Sequence, residues 1–180
     1  TANRIFGEDI RALPEGERKR KRYLGKKSVH SFNYGMHAVT FSEACLEESG
    51  LVISPEESEK IRNNFFATFP RILLWHANLK DELRRSRRLV TPYGRFRSFY
   101  GALNDDLFRE AYSFIPQATI ADTINESWIR LSQFPHFTFA QQGHDSLLLN
   151  VPENSVPSAI ENIKEVFSGV SFKLGKEDRN

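Results

Sequence analysis

Four side chains at four-residue intervals, Arg22, Lys26, His30 and Tyr34, are the residues in this sequence most suited to holding a ligand, and Gly35 follows them. On an α-helix each step of four residues advances about 400°, so successive members sit only ~40° apart and form one slowly turning stripe. At ~1.5 Å per residue the stripe runs roughly 18 Å. Two cations open it, an imidazole stands in the middle and a phenol closes it. That order suits an elongated ligand with phosphates at one pole and a flat ring at the other. The competing reading is a solvated basic helix whose Tyr34 covers core.

A second set of reactive types is adjacent in sequence: His144, Asp145 and Ser146. These are the types of a hydrolytic triad, but neighbours on a strand point to opposite faces, so three consecutive side chains cannot form that relay. No Gly-x-Ser-x-Gly elbow stands elsewhere. An aspartate raised on a hairpin tip is better suited to a hard divalent cation, because Mg²⁺ takes one or two carboxylates together with phosphate oxygens and water. The simpler alternative makes Asp145 a turn residue. A single carboxylate is also too little for two-metal phosphoryl transfer, which needs a second from elsewhere.

The elements that must position these residues are legible from periodicity. A helix is expected from about Glu15 to His30, entered after Pro14, with Gly25 weakening it by about 1 kcal/mol relative to alanine. A polar connection then leads to Ser54-Pro55-Glu56-Glu57, a strong helix start with Ser54 as cap and Glu57 completing a capping box. Ile61, Phe65 and Phe69 make its buried face, Pro70 interrupts, and Ile72, Trp75, Leu79 and Leu83 carry a second amphipathic helix. Thr91-Pro92-Tyr93-Gly94 reads as a tight turn between short strands. A short helix over Asn104 to Tyr112 and a longer one from Pro116 to Leu131 follow, the latter with Ile120, Ile124, Trp128 and Leu131 on one face. The clearest strand signal is the alternation of residues 137–151 around Gly143-His144-Asp145, a β-hairpin. A helix from Ser158 to Phe167 and a strand from Val170 to Leu174 close the chain. Helices first, then an antiparallel sheet covered by helices, predict an α+β fold.

Composition sets the outer bounds. The 180 residues, 39% hydrophobic and 12% aromatic with fifteen phenylalanines, describe a globular chain able to bury a core. Net charge is only +2, yet basic residues cluster between Arg11 and Lys27, and again through Arg84, Arg85, Arg87, Arg88, Arg95 and Arg97. Such clusters make local positive fields that attract polyanions. The one cysteine, Cys45, excludes an internal disulfide and a cysteine metal cluster. No apolar run reaches membrane-spanning length. The first residues lack the apolar stretch of a signal peptide, so an intracellular, cytoplasmic setting is expected.

Taken together, these motifs resemble those of the family A (DNA polymerase I-like) DNA polymerases, over nearly the whole chain. Arg22, Lys26, Tyr34 and Gly35 resemble that family's Arg-x3-Lys-x7-Tyr-Gly motif, and Gly143-His144-Asp145 with 147–152 resembles its His-Asp-Glu hairpin. Pro55 to Pro70, Val90 to Arg97, and Arg109 with Pro116-Gln117-Ala-Thr-Ile-Ala-Asp122 agree in order. The resemblance implies a helical fingers subdomain over 1–88, with a nucleotide-binding helix at about 15–34. It implies a palm portion over 89–180 carrying the catalytic hairpin. It further implies template-directed synthesis of DNA on a primer-template from deoxynucleoside triphosphates. Arg22 and Lys26 would bind the triphosphate, Lys26 also protonating the leaving pyrophosphate. Tyr34 and Gly35 would lie near the nascent pair and the template base. Arg109, Gln117 and His144 would touch DNA, and Asp145 would hold catalytic Mg²⁺. No processivity factor can be read from it.

Three departures stand out. His30 occupies a position where the family carries Phe or Tyr and where the sugar 3′ side is discriminated; a titratable ring there would alter selectivity near neutral pH. Ser146 replaces the glutamate of His-Asp-Glu, removing a negative charge. The family's Asp-Tyr/Phe-Ser-x-x-Glu motif, which bears the other catalytic carboxylate, does not occur before Arg22. The expectation is therefore a C-terminal piece of a larger polymerase, inactive alone, from a viral or otherwise divergent source in a bacterial or virus-infected cell. The alternative is a non-catalytic nucleic-acid-binding relative.

Overall fold

The computed structural model describes residues 1–170. Two compact units divide the chain: Thr1–Arg87 with Phe99–Ser113, and Arg88–Ser98 with Phe114 onward. Both mix helices with tight turns, and the described residues carry two separate antiparallel hairpins, so the fold is α+β. No helix among the described residues is long and apolar enough to cross a membrane.

In the first unit, α1 (Ala2–Phe6), α2 (Glu15–Asn33), α3 (Ala38–Ser49), α4 (Pro55–Thr68) and α5 (Pro70–Ser86) surround an aromatic core. Phe32 of α2 sits at its centre, fully buried, with ring centroids 4.7 Å from Phe41 and 5.6 Å from Phe65. Leu24, Cys45 and Ile61 complete the packing. The α2 helix is laid down by strong formers and by the buried spacing Leu24–Ser28–Phe32, in which the Ser28 hydroxyl is satisfied by the Leu24 carbonyl at 2.6 Å. Its opposite face is left to cations. Gly25 has a packing reason: a Cβ there would lie 2.7 Å from the Ala2 Cβ and 3.0 Å from its Cα, so only glycine lets α1 approach α2 this closely.

Several expectations need correction. The polar connection after Tyr34 contains α3, which buries Ala38, Phe41 and Cys45. It ends on Gly50 at φ 68°, with Leu51 N–H donating back to the Cys45 carbonyl. Ser54 caps α4 as expected, accepting from the Glu57 N–H at 3.1 Å, but both oxygens of the Glu57 carboxylate accept from one Arg20 nitrogen, Nη2, at 2.8 Å. A charge-assisted contact is stronger than a bond to a neutral backbone N–H, so the second half of the capping box yields to a tertiary ion pair. Ile61 and Phe65 are buried while Phe69 is only partly so.

The break expected between Tyr112 and Pro116 does not occur. A single helix, α6, runs Asp105–Leu131 with Pro116 inside it. Proline removes one N–H and crowds the carbonyl four residues back, yet the helix continues on both sides. The division between the two units falls in this same turn, after Ser113.

In the second unit, β1 (Arg88–Val90) and β2 (Phe96–Ser98) pair around the expected turn, closed by Gly94 N–H to the Thr91 carbonyl at 2.9 Å. Arg95 grips Asp122 of α6 and the Tyr93 hydroxyl meets Thr123 at 3.2 Å. A second core gathers Leu131, Phe137, Ala159 and Val166 beneath β3 (Thr138–Gln142), β4 (Leu147–Asn150) and α7 (Val156–Gly169). Of the expected α6 face, Ile124 and Leu131 are buried, whereas Ile120 is 44% exposed. The strand expected from Val170 to Leu174 lies, beyond its first residue, outside the described residues.

Candidate nucleotide-binding groove and catalytic hairpin

The stripe is real as geometry: Arg22, Lys26, His30 and Tyr34 all line one open groove of about 610 Å³, floored by Gly25 and Ala2. Among the described residues, what distinguishes Arg22 and Lys26 from the other cations of α2 is that they lack a carboxylate partner and line the groove; Arg18 also lacks one but does not line it. Lys19 pairs with Glu15, Arg20 with Glu57, Lys21 with Glu8 and Glu17, and Lys27 with Glu48. Glu8 and Glu17 hold the Lys21 ammonium above its ordinary pKa. Among the described residues, Arg22 and Lys26 meet no carboxylate, and both are exposed at the groove. Paired cations are already neutralised, so the uncompensated field of this helix points into the groove.

The aromatic half of the stripe is a ridge. His30 and Tyr34 meet edge to face, centroids 5.5 Å apart at 81°. Both also line a second cavity of about 440 Å³, together with Ser31 and Arg109. Arg109 lies on α6 within the first unit and pairs with Asp106. Ser31 is 2% exposed, and its hydroxyl has no hydrogen-bond partner among the described residues.

The C-terminal end of α2 fixes this ridge. Gly35 takes φ 76°, with its N–H donating to the Phe32 carbonyl at 3.2 Å and Met36 N–H donating to Ser31 at 3.1 Å. That is the glycine-terminated helix end signalled by Tyr34-Gly35 in the sequence. A Cβ at Gly35 would lie 2.9 Å from the Tyr112 ring. The remaining carbonyl, that of Asn33, accepts from His76 Nε2–H at 2.7 Å, and His76 stacks on Tyr112 at 3.9 Å and 19°. Burial pushes the His76 pKa below its ordinary value, against the pull of that carbonyl, and pushes the Tyr112 phenol up to about 12. Neither residue was singled out from sequence: His76 falls within an apolar helical face, and Tyr112 is one more aromatic at helical spacing.

In the second unit, Gly143 N–H donates to the Ser146 carbonyl at 2.8 Å, leaving His144 and Asp145 as a two-residue connection exposed at the tip. Phe139 stacks on Trp128 of α6 at 5.0 Å and 12°, and Gln142 donates to Asn125 at 2.8 Å, which anchors the hairpin to that helix. A side chain at 143 would meet the Ser146 hydroxyl. Gln117 is exposed on α6. Among the described residues, no group of three or more His, Cys, Asp or Glu can hold a metal ion. Asp145 alone therefore does not make a Mg²⁺ site. The second arginine cluster is largely spoken for: Arg84 pairs with Asp81, Arg85 with Glu82 and Arg95 with Asp122, while Arg88 lies over the Phe96 ring at 4.4 Å.

Comparison with known proteins points one way. The chain is 28% identical to the thermostable DNA polymerase I of Thermus thermophilus over 182 residues, 94% of this chain and 20% of that protein. It is 24% identical to DNA polymerase I of Helicobacter pylori over 183 residues, 97% of this chain and 19% of that protein. The chain thus spans about a fifth of the length of these curated relatives. In fold it is similar to the POL domain of Pol1 from M. smegmatis, a structure in complex with DNA primer-template and dNTP. That similarity has a TM-score of 0.77 at 20% identity, over 95% of this chain and 30% of that one. The model of DNA polymerase family A matches residues 1–175, and the chain belongs to that family.

Proposed function

We propose that this chain supplies the nucleotide-binding helix and one catalytic carboxylate of an enzyme that adds deoxynucleotides to a primer 3′ end on a DNA template. The observation that carries the reading is the groove in which Arg22 and Lys26, cations of α2 with no carboxylate partner among the described residues, share a wall with His30 and Tyr34. Phosphoryl transfer asks the protein chiefly to position the triphosphate and neutralise charge on its leaving oxygens. Arg22 offers a planar fork to phosphate oxygens and Lys26 a mobile point charge able to give up a proton. The ring of Tyr34 supplies a stacking surface for a base. Relatives bearing the name DNA polymerase I and a neighbour solved with primer-template and dNTP support the same reading.

In this reading the first unit is fingers and the second part of a palm. Gly35, Arg109, Gln117 and His144 face DNA. Asp145 is one ligand of a divalent cation, and two-metal phosphoryl transfer needs a further carboxylate beside it; among the described residues no group of three or more His, Cys, Asp or Glu is placed to hold a metal ion. When bound, that cation supplies charge neutralisation at the reacting phosphate; no step through it follows from this chain alone.

Primer extension tests the assignment. The 180 residues alone are expected not to extend a primer in Mg²⁺. In a full polymerase carrying this segment, Asp145→Ala should abolish synthesis with DNA affinity retained, and Lys26→Ala should slow each addition. A second reading, a non-catalytic nucleic-acid-binding relative, draws on Ser146 in place of an acidic residue. Unchanged synthesis in Asp145→Ala would remove the aspartate from catalysis, whereas a full-length protein that binds primer-template and incorporates no nucleotide would favour this second reading.

A further inference from the structure

We infer that His76 is a positioning residue for Tyr34: with Tyr112 it clamps the segment 33–35 from both sides and so sets the ring that separates the two cavities. Three contacts converge there. The His76 Nε2–H donates to the Asn33 carbonyl at 2.7 Å, the bond immediately before Tyr34. The His76 ring stacks on Tyr112 at 3.9 Å and 19°. Tyr112 in turn closes over Gly35, the residue immediately after Tyr34, so tightly that a Cβ at 35 would lie 2.9 Å from its ring. Backbone N–H groups already satisfy the Ser31 and Phe32 carbonyls. Asn33 is the carbonyl left over at a helix end, where an unmade bond in a buried setting is disfavoured. The donor it has comes from another element, α5, on a side chain that is 8% exposed.

The clamp acts on one end of the groove alone. Arg22 and Lys26 stand two to three turns earlier on α2, and their helix is held by Leu24, Phe32 and Arg20 rather than by His76. Loosening the Asn33 carbonyl therefore releases the base-facing ring while leaving the phosphate-facing cations in place. His76 is thus a determinant of how the base and sugar are held, acting through Tyr34 without touching ligand.

The inference rests on the nucleotide reading of the groove, and one experiment separates their failures. The 180-residue chain is titrated with a dNTP and, separately, with inorganic tripolyphosphate, with the Tyr34 ring followed by NMR. His76→Phe keeps the stack on Tyr112 and removes the donor; His76→Gln keeps a donor. His76→Phe should shift the Tyr34 ring signals, weaken its contact with His30 and raise the dNTP Kd roughly five- to tenfold, the scale of one lost hydrogen bond. Tripolyphosphate affinity should stay unchanged, and His76→Gln should recover part of the dNTP affinity. Parallel weakening of both ligands would overturn the inference, since it marks a general loss of structure. A wild type that binds dNTP, with Tyr34 unmoved by His76→Phe, overturns the positioning role alone. Tyr34 signals that respond to His76→Phe in a chain blind to dNTP overturn the nucleotide reading and retain the clamp.

Discussion

At the scale of residues, charge type matters less than charge company. The α2 helix carries a dense run of cations, and most are spent on Glu8, Glu15, Glu17, Glu48 and Glu57. Exposed pairs of this kind add little stability each, but they remove their charge from the pool available to a ligand. Arg22 and Lys26 remain at the groove, and Arg18, the other cation of the run without a carboxylate partner among the described residues, does not line it. Lys26→Ala is accordingly expected to weaken tripolyphosphate binding by about tenfold or more, the loss of one charge-assisted contact. Lys19→Ala, outside the groove and paired with Glu15, should leave binding within error. Calorimetric titration of both variants checks the contrast. The stripe itself was legible from four-residue spacing, because helical geometry alone dictates which side chains share a face. Which cations stay free was not legible. It depends on acids brought near by tertiary packing, such as Glu57 from α4 and Glu48 from α3.

At the scale of elements, local propensity and packing disagree at Gly25, and packing should win. Alanine is the better helix former by about 1 kcal/mol. Yet its methyl would meet α1 at the Ala2 backbone, 3.0 Å from Cα, where no flexible side chain can swing aside. Gly25→Ala should therefore destabilise the chain by about 1–3 kcal/mol, the range for overpacking, as read by urea unfolding. A pH effect belongs to α5. His76 has a folded pKa below its unfolded value, so the unfolded state takes up its proton first as pH falls. Stability is then full above about pH 6.5, the ordinary histidine value, and is lost as pH drops below it toward the folded pKa. Lys80 nearby adds to the effect. Thermal melts between pH 7.5 and 5 should show this slope, and His76→Gln should flatten it. Elements with strong local signals, α4 with Ser54-Pro55 and the 137–151 hairpin, were legible. The α3 helix was hard to read because it opens after His37 with no capping side chain and no acid in its first turn, although Phe41, Cys45 and Gly50 carry its face and its end. The continuous α6 was hidden by Pro116, a local breaker outweighed by burial of Tyr112, Ile124 and Leu131 along the same helix.

At the scale of the molecule, membership of DNA polymerase family A follows from a match over nearly the whole chain, and the motif order alone had pointed to it. The fold class was equally legible, since apolar periodicity changes from helical to alternating along the chain. Partnerships across long sequence separations were not: His76 with Asn33, and Arg95 with Asp122, join residues that no local pattern connects. The central claim is that the groove on α2 receives a nucleoside triphosphate with its phosphates at Arg22 and Lys26 and its ring toward Tyr34. NMR mapping of a dNTP titrated into the labelled 180-residue chain tests it most directly. Saturable shifts confined to Arg22, Lys26, His30 and Tyr34 with their groove neighbours are expected, and they should be abolished in the double variant Arg22→Ala/Lys26→Ala. Saturable binding that maps elsewhere, or that survives the double variant intact, would contradict it.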